Sequence, residues 1–183
     1  LNYGVIDLGS NSIRLSIFKR EDNKISLLIN KKIMAGLAGY VENGALPEKG
    51  ISRACSVLES FNEILDRFSI QEKHLFATAS LRNISNTQEA VDAIYNHTGL
   101  KTSILTGDDE ARLDFIGATY YYDLDKGILI DIGGGSFELV LIENHSIKKL
   151  ASLPIGSLNL HTQYVKGLIP NMSERKQIKR AVR

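Results

Sequence analysis

Asp7-Leu8-Gly9-Ser10-Asn11-Ser12 and, 124 residues later, Asp131-Ile132-Gly133-Gly134-Gly135-Ser136 decide how this chain is read. In each copy an aspartate closes a short apolar run, a turn of small residues follows, and an alternating apolar stretch resumes. The runs are Tyr3 to Asp7 then Ile13 to Phe18, and Gly127 to Asp131 then Phe137 to Ile142. Run, turn and run at this spacing predict two strands of a hairpin. A third strand is expected after each, over Lys24 to Met34 and over Ser146 to Leu153. The same order recurring at long period predicts a duplicated lobe.

Between the copies, a glycine-rich loop (Gly36 to Gly44) leads to Pro47, which suits a first helical turn because its missing N–H has no partner to lose there. Ile51, Ala54, Cys55, Leu58, Phe61, Leu65 and Phe68 form a helical stripe. A strand is expected over Leu75 to Thr78. Asn86-x-x-Glu89 predicts a capping box opening a helix to about His97, and Thr102 to Leu105 reads as another strand. Asp108 to Tyr121 is apolar nearly all round, which predicts a helix buried between layers.

The expected fold class is therefore α/β, with mixed sheets flanked by helices and lobes over 1–122 and 123–183. Only 48 residues run from Ser136 to Arg183, so the second lobe is expected to be incomplete. Apolar faces such as Leu139 and Leu141 would then be exposed or covered by another chain, which admits a homodimer.

Composition narrows the class of function. Of 183 residues, 43% are hydrophobic and 23% charged, as in ordinary globular domains, and the net charge of +1 offers no field for gripping nucleic acid or a membrane surface. No apolar run reaches the eighteen or so residues of a membrane helix. One cysteine excludes an internal disulfide framework and a cysteine-cluster zinc site. No signal peptide is evident and the initiator Met is missing, so a trimmed, cytoplasmic chain is expected.

Glycines beside aspartates suggest phosphate handling, and two familiar devices fail. Gly39 and Gly44 have the outer spacing of a Walker loop, but Ala45 stands where lysine is required. Gly133 and Gly135 begin a dinucleotide fingerprint, yet Glu138 stands at its last glycine and the following residues alternate like a strand. What survives is a hairpin tip whose backbone N–H groups cradle an anion. Gly9, Ser10, Asn11, Gly133, Gly134, Gly135 and Ser136 are the phosphate-binding candidates, and two such cradles facing across a cleft would clamp a polyphosphate. Asp7 and Asp131, with Glu138 near the second turn, would hold a hard divalent ion, Mg2+ or Mn2+.

The chain resembles a known family at four ordered motifs: Val5 to Ser12, Ala77-Thr78-Ala79-Ser80-Leu81-Arg82, Glu110-Ala111-Arg112 and Ile130 to Ser136. Leu153 to Ser157 looks like a fifth element. They are similar to the exopolyphosphatases and guanosine pentaphosphate phosphohydrolases (Ppx/GppA) of the actin-like ATPase superfamily. The resemblance implies two actin-like, ribonuclease H-like lobes and magnesium-dependent release of terminal phosphate from inorganic polyphosphate or from pppGpp. It implies Glu110 as the catalytic glutamate that activates water, Arg82 as a phosphate-binding arginine, and Asp7, Asp131 and Glu138 as acids around phosphate and metal. Phe137 departs from the family, which usually has threonine there. A non-catalytic module binding polyphosphate or guanosine tetra- or pentaphosphate is the rival reading; a kinase of the same superfamily is weaker, since no adenosine-binding element is evident.

Overall fold

Strand β1 (Asn2–Leu8) alternates: Gly4, Ile6 and Leu8 point inward while Asp7 is exposed. It pairs antiparallel with β2 (Ser12–Glu21), which pairs antiparallel with β3 (Lys24–Met34). On its other side β1 runs parallel to β4 (Glu72–Ala77), and β4 to β5 (Thr102–Ile104), giving a mixed sheet in the order β3-β2-β1-β4-β5. The computed structural model describes residues 1–22 and 24–183 and divides into two compact units, Leu1–Leu105 and Thr106–Arg183.

The parallel pairing of β1 with β4 requires a crossover, and helix α1 (Glu48–Arg67) supplies it. Pro47 sits at its N-cap, and Ile51, Ala54, Cys55, Leu58, Phe61 and Leu65 are buried against Ile6, Leu8, Ile13, Leu15 and Ile17. Each fully buried Leu, Ile or Phe contributes about 1.5–3 kcal/mol, so this cluster holds the first unit together. The approach is close: a methyl at Gly4 would meet Leu65 Cδ2 at 2.2 Å. Phe68, assigned to the stripe, is instead exposed, because the helix ends at Arg67 and the chain turns away. Short helix α2 (Ala79–Arg82) and α3 (Thr87–Thr98) complete the unit. Asn86 precedes α3 as expected but makes no capping box. Its amide accepts from the Leu46 N–H and donates to the Leu46 carbonyl, both at 2.9 Å, clamping the loop before α1.

In the second unit, β6 (Lys126–Ile132), β7 (Phe137–Glu143) and β8 (Ser146–Leu153) form an antiparallel sheet. Helix α4 (Gly107–Tyr121) lies on one face, where Ala111, Val140 and Ile142 are buried with Phe115, Leu129, Ile147 and Leu150 around them. Helices α5 (Ser157–Tyr164) and α6 (Met172–Ala181) follow. Helix α4 is not buried all round: Ala111 is its one buried residue among those described, and Leu113, Ile116 and Tyr120 are exposed. A single sheet can cover only one stripe of a helix.

The opposite face of this sheet is apolar and open, as expected, but its most exposed residues differ. Ile128, Ile130 and Ile132 are 65%, 54% and 64% exposed, while Leu139 and Leu141 are half-buried. The register explains this. Leu141 and Leu139 sit on the central strand opposite Ile128 and Ile130, with β8 beyond them, whereas β6 has a neighbour on one side only. Among the described residues no helix is long and apolar enough to cross a membrane.

Candidate active site

Both glycine turns close in the same way. The Gly9 N–H donates to the Ser12 carbonyl at 3.1 Å, and the Gly133 N–H to the Ser136 carbonyl at 3.0 Å. A methyl group at Gly9 would stand 3.0 Å from the Ser12 carbonyl oxygen, and at Gly133 3.3 Å from that of Ser136, so the tightness of the turn selects glycine.

Carbonyl groups fix the orientation of each turn. In the second unit the Gly133 carbonyl accepts from the Ser157 N–H (2.9 Å) and hydroxyl (3.0 Å), and the Gly134 carbonyl from the N–H groups of Leu158 and Asn159. Asn159 Nδ2 donates to the Gly135 carbonyl at 3.2 Å, and its Oδ1 accepts from the Gly156 N–H at 2.7 Å. In a trans peptide the next N–H points opposite to the carbonyl, so the amides of Gly134, Gly135 and Ser136 face away from α5. Three successive amides turned one way make an anion-binding concavity. In the first unit the Ser10 carbonyl accepts from Ala38 N–H and the Asn11 carbonyl from those of Ala35 and Gly36. Ser10 and Ser136 are themselves buried, so the second turn presents its backbone, while the first also carries the exposed Asn11.

The acids share this repeat. Asp131 lies opposite Glu138 in the β6–β7 register, and Asp7 lies opposite Arg14 in β1–β2. Glu138 is only 1% exposed; its Oε1 accepts from the Ser152 hydroxyl at 2.8 Å, and its Oε2 is buried with no hydrogen-bond partner. Carboxylate oxygens of Asp114, Asp131 and Glu138 all lie within 4.8 Å of one another. Hard oxygen ligands around a desolvated, unanswered oxygen fit a divalent cation.

Glu110 stands in the first turn of α4, half-buried, with its N–H donating to the Thr106 carbonyl at 3.0 Å. Helix capping falls to other residues: Thr106 Oγ1 accepts from the Asp109 N–H and donates to Asp109 Oδ2 at 2.6 Å. Glu110 is thus not consumed as the cap. The start of α4 sits hard against β8, since a methyl at Gly107 would meet Ser152 Cβ and Oγ at 2.3 Å. Arg82 ends α2 in the first unit, half-buried, and its Nη1 donates to the Leu105 carbonyl at 2.9 Å. The Ser80 hydroxyl ties α2 to the Leu8 carbonyl, the last residue before the first turn.

Sequence reasoning named Asp131 and Glu138, which the structure brings together. It named Ser157 only as the end of the Leu153 to Ser157 element, and it missed Asp114, Ser152 and Asn159. Asp114 carried a usable signal, being four residues after Glu110 and so on the same helical face. Ser152 and Asn159 act through register and a helix start that no local pattern marks.

Known proteins match this architecture along nearly the whole chain. The chain is 33% identical, over 95% of its length, to a bifunctional 3-dehydroquinate synthase/phosphatase of Fusobacterium nucleatum. It is 30% identical, over 90%, to a guanosine-5'-triphosphate,3'-diphosphate pyrophosphatase of Photobacterium profundum. The crystal structure of an exopolyphosphatase from Cytophaga hutchinsonii superposes on 97% of the chain with a TM-score of 0.89 at 27% identity. The chain spans 28% and 33% of those two relatives and 58% of that structure. The fold is the duplicated actin-like α/β fold. With the family model of the Ppx/GppA phosphatases matching residues 16–183 on top of these likenesses, the chain belongs to the Ppx/GppA phosphatase family.

Proposed function

We propose that this chain carries the catalytic elements of a phosphoanhydride hydrolase that releases terminal phosphate from inorganic polyphosphate, converts pppGpp to ppGpp, or does both. The observation that carries the reading is the Gly133–Ser136 turn, whose carbonyls are held by α5 so that three amides face away from it, in the same unit as the Asp131–Glu138 carboxylates. Catalysis of phosphoryl transfer rests mainly on positioning and charge stabilisation, which backbone amides and fixed acids provide. The Gly133–Ser136 amides would bind phosphate oxygens in the second unit, and within the first unit the Gly9–Asn11 turn and Arg82 would be phosphate donors in their own right. Glu110 would accept the proton of the attacking water. Asp131 and Glu138 would hold magnesium or manganese. When bound, that ion would supply positive charge against the phosphate oxygens. The relatives named above support the substrate class.

Phosphate release from long-chain polyphosphate, pppGpp and ATP, assayed side by side, tests the reading. Glu110→Gln should lower kcat by about 100-fold or more, the scale of a lost general base, and leave polyphosphate binding intact. More than about half of the original turnover in that variant would remove Glu110 from this role. Binding of polyphosphate or pppGpp with no release from any substrate would favour a regulatory binding module instead.

A further inference from the structure

The acidic group is larger than the pair that the hairpin register supplies. Asp114 comes from α4, one helical turn beyond Glu110, and its carboxylate meets those of Asp131 and Glu138 across the face of the sheet. Three carboxylates this close repel one another. The arrangement is relieved by a cation or by a shared proton, and two features favour the cation. First, Glu138 is 1% exposed and its Oε2 has no hydrogen-bond partner, so one desolvated oxygen of the group is unanswered by the protein. Second, the oxygens all lie within 4.8 Å of one another, close enough for one ion to reach all three at about 2.1–2.4 Å per bond.

We propose that Asp114 is the third protein ligand of a divalent cation held with Asp131 and Glu138, resting on the reading above that this pair takes a cation. Its consequence is mechanical as well as electrostatic. The ion joins α4 to the β6–β7 hairpin, so the helix that presents Glu110 is tied to the strands that carry the Gly133–Ser136 turn. A third carboxylate also raises the charge on the ion's site and so its affinity.

The test is binding of Mn2+ alone to the intact chain, followed by the electron paramagnetic resonance signal of free Mn2+, with no substrate present. Asp114→Asn should weaken binding by about tenfold or more, and Asp131→Asn by at least as much, a difference of the size a lost charged ligand produces. Asp108→Asn, an exposed acid of the same helix outside the group, should bind within about twofold of the parent. Without metal, Asp114→Asn should melt at the same temperature as the parent or higher, because a like charge is gone, and Mn2+ should raise its melting temperature less. Should Asp114→Asn fail to fold, Asp114→Ser removes the carboxylate with a smaller neutral side chain, and unchanged Mn2+ affinity in it would overturn the proposal. Loss of binding in Asp131→Asn with none in Asp114→Asn removes Asp114 and leaves the two-carboxylate site standing. Unchanged Mn2+ binding in Asp114→Asn overturns the proposal whatever its melting temperature. Undiminished binding in both variants overturns the cation reading itself.

Discussion

Arg14 and Glu138 occupy the same position in two copies of one hairpin, each directly across the strand pair from the aspartate that precedes the turn. The chemistry differs although the backbone repeats. Asp7 faces a guanidinium and both side chains are exposed, whereas Asp131 faces a second carboxylate that is buried. Opposite charges across a strand pair attract and like charges repel, so the first slot is close to neutral and the second is short of a cation. Asp131→Asn should therefore weaken Mn2+ binding by about tenfold or more, and Asp7→Asn by less than about twofold. Equal losses in an equilibrium titration would mean that the first slot matters to Mn2+ binding as much as the second.

Gly156 tests whether the second turn depends on α5. It is buried at the N-cap, and a methyl there would come within 2.3 Å of the Gly134 carbonyl carbon and oxygen and 2.4 Å of the Gly135 nitrogen. None of these is a flexible side chain, so the turn itself must move. Gly156→Ala should cost about 1–3 kcal/mol in chemical denaturation, the usual scale of overpacking, and should weaken polyphosphate binding more than it lowers stability would explain. Gly117→Ala is the contrast, because nothing lies within 4 Å of a methyl there and the residue is inside a helix. It should stabilise by about 0.5–1 kcal/mol. Equal effects of the two changes would detach the turn from α5.

Much of this was legible in the chain because the hairpins announce themselves locally. Alternation fixes which side of β1 and β7 is buried, and small residues mark the turns, so the duplication and both acid slots follow from spacing. The misreadings have one physical source, which is that packing partners lie far off in sequence. Asn86 has the right neighbours for a capping box, but Leu46, forty residues earlier, offers its amide two better bonds. Helix α4 is apolar enough for two covering layers, yet its unit supplies one sheet. Asp114 becomes a site residue only when α4 is laid on β6 and β7, and Ser152 only when β8 is placed beside Glu138.

Cys55 should be inert in the folded protein. It is 4% exposed in α1, and burial, reinforced by the nearby charge of Glu59, pushes its thiol pKa up, which disfavours the reactive thiolate. A thiol reagent at pH 8 should label almost none of the native chain within minutes and all of it after denaturation. Rapid stoichiometric labelling of the native chain would show that α1 opens from the sheet.

Acid should loosen the C-terminal helix through one carboxylate. Glu174 is 8% exposed; its Oε2 accepts from the Asn171 N–H at 2.8 Å and its Oε1 from the Lys166 N–H at 3.2 Å, while Asn171 Oδ1 accepts in return from the N–H groups of Ser173 and Glu174. The Asn171 amide above all, then the Lys166 amide, holds the Glu174 pKa below the ordinary value of about 4.5; burial opposes them, and the charges of Lys166 and His161 add to them. A carboxylate whose pKa is lower folded than unfolded binds fewer protons in the folded state. Its contribution to stability is present in full above the unfolded value and is lost as pH falls from there through the folded one. Far-UV circular dichroism during chemical denaturation should therefore show the parent losing stability below about pH 4.5 more steeply than Glu174→Gln. At neutral pH the variant should already be the less stable of the two, because an amide cannot accept both N–H groups as a carboxylate does. Parallel curves for the two proteins between pH 6 and pH 3 would show that this cap is not anchored by the charge of Glu174.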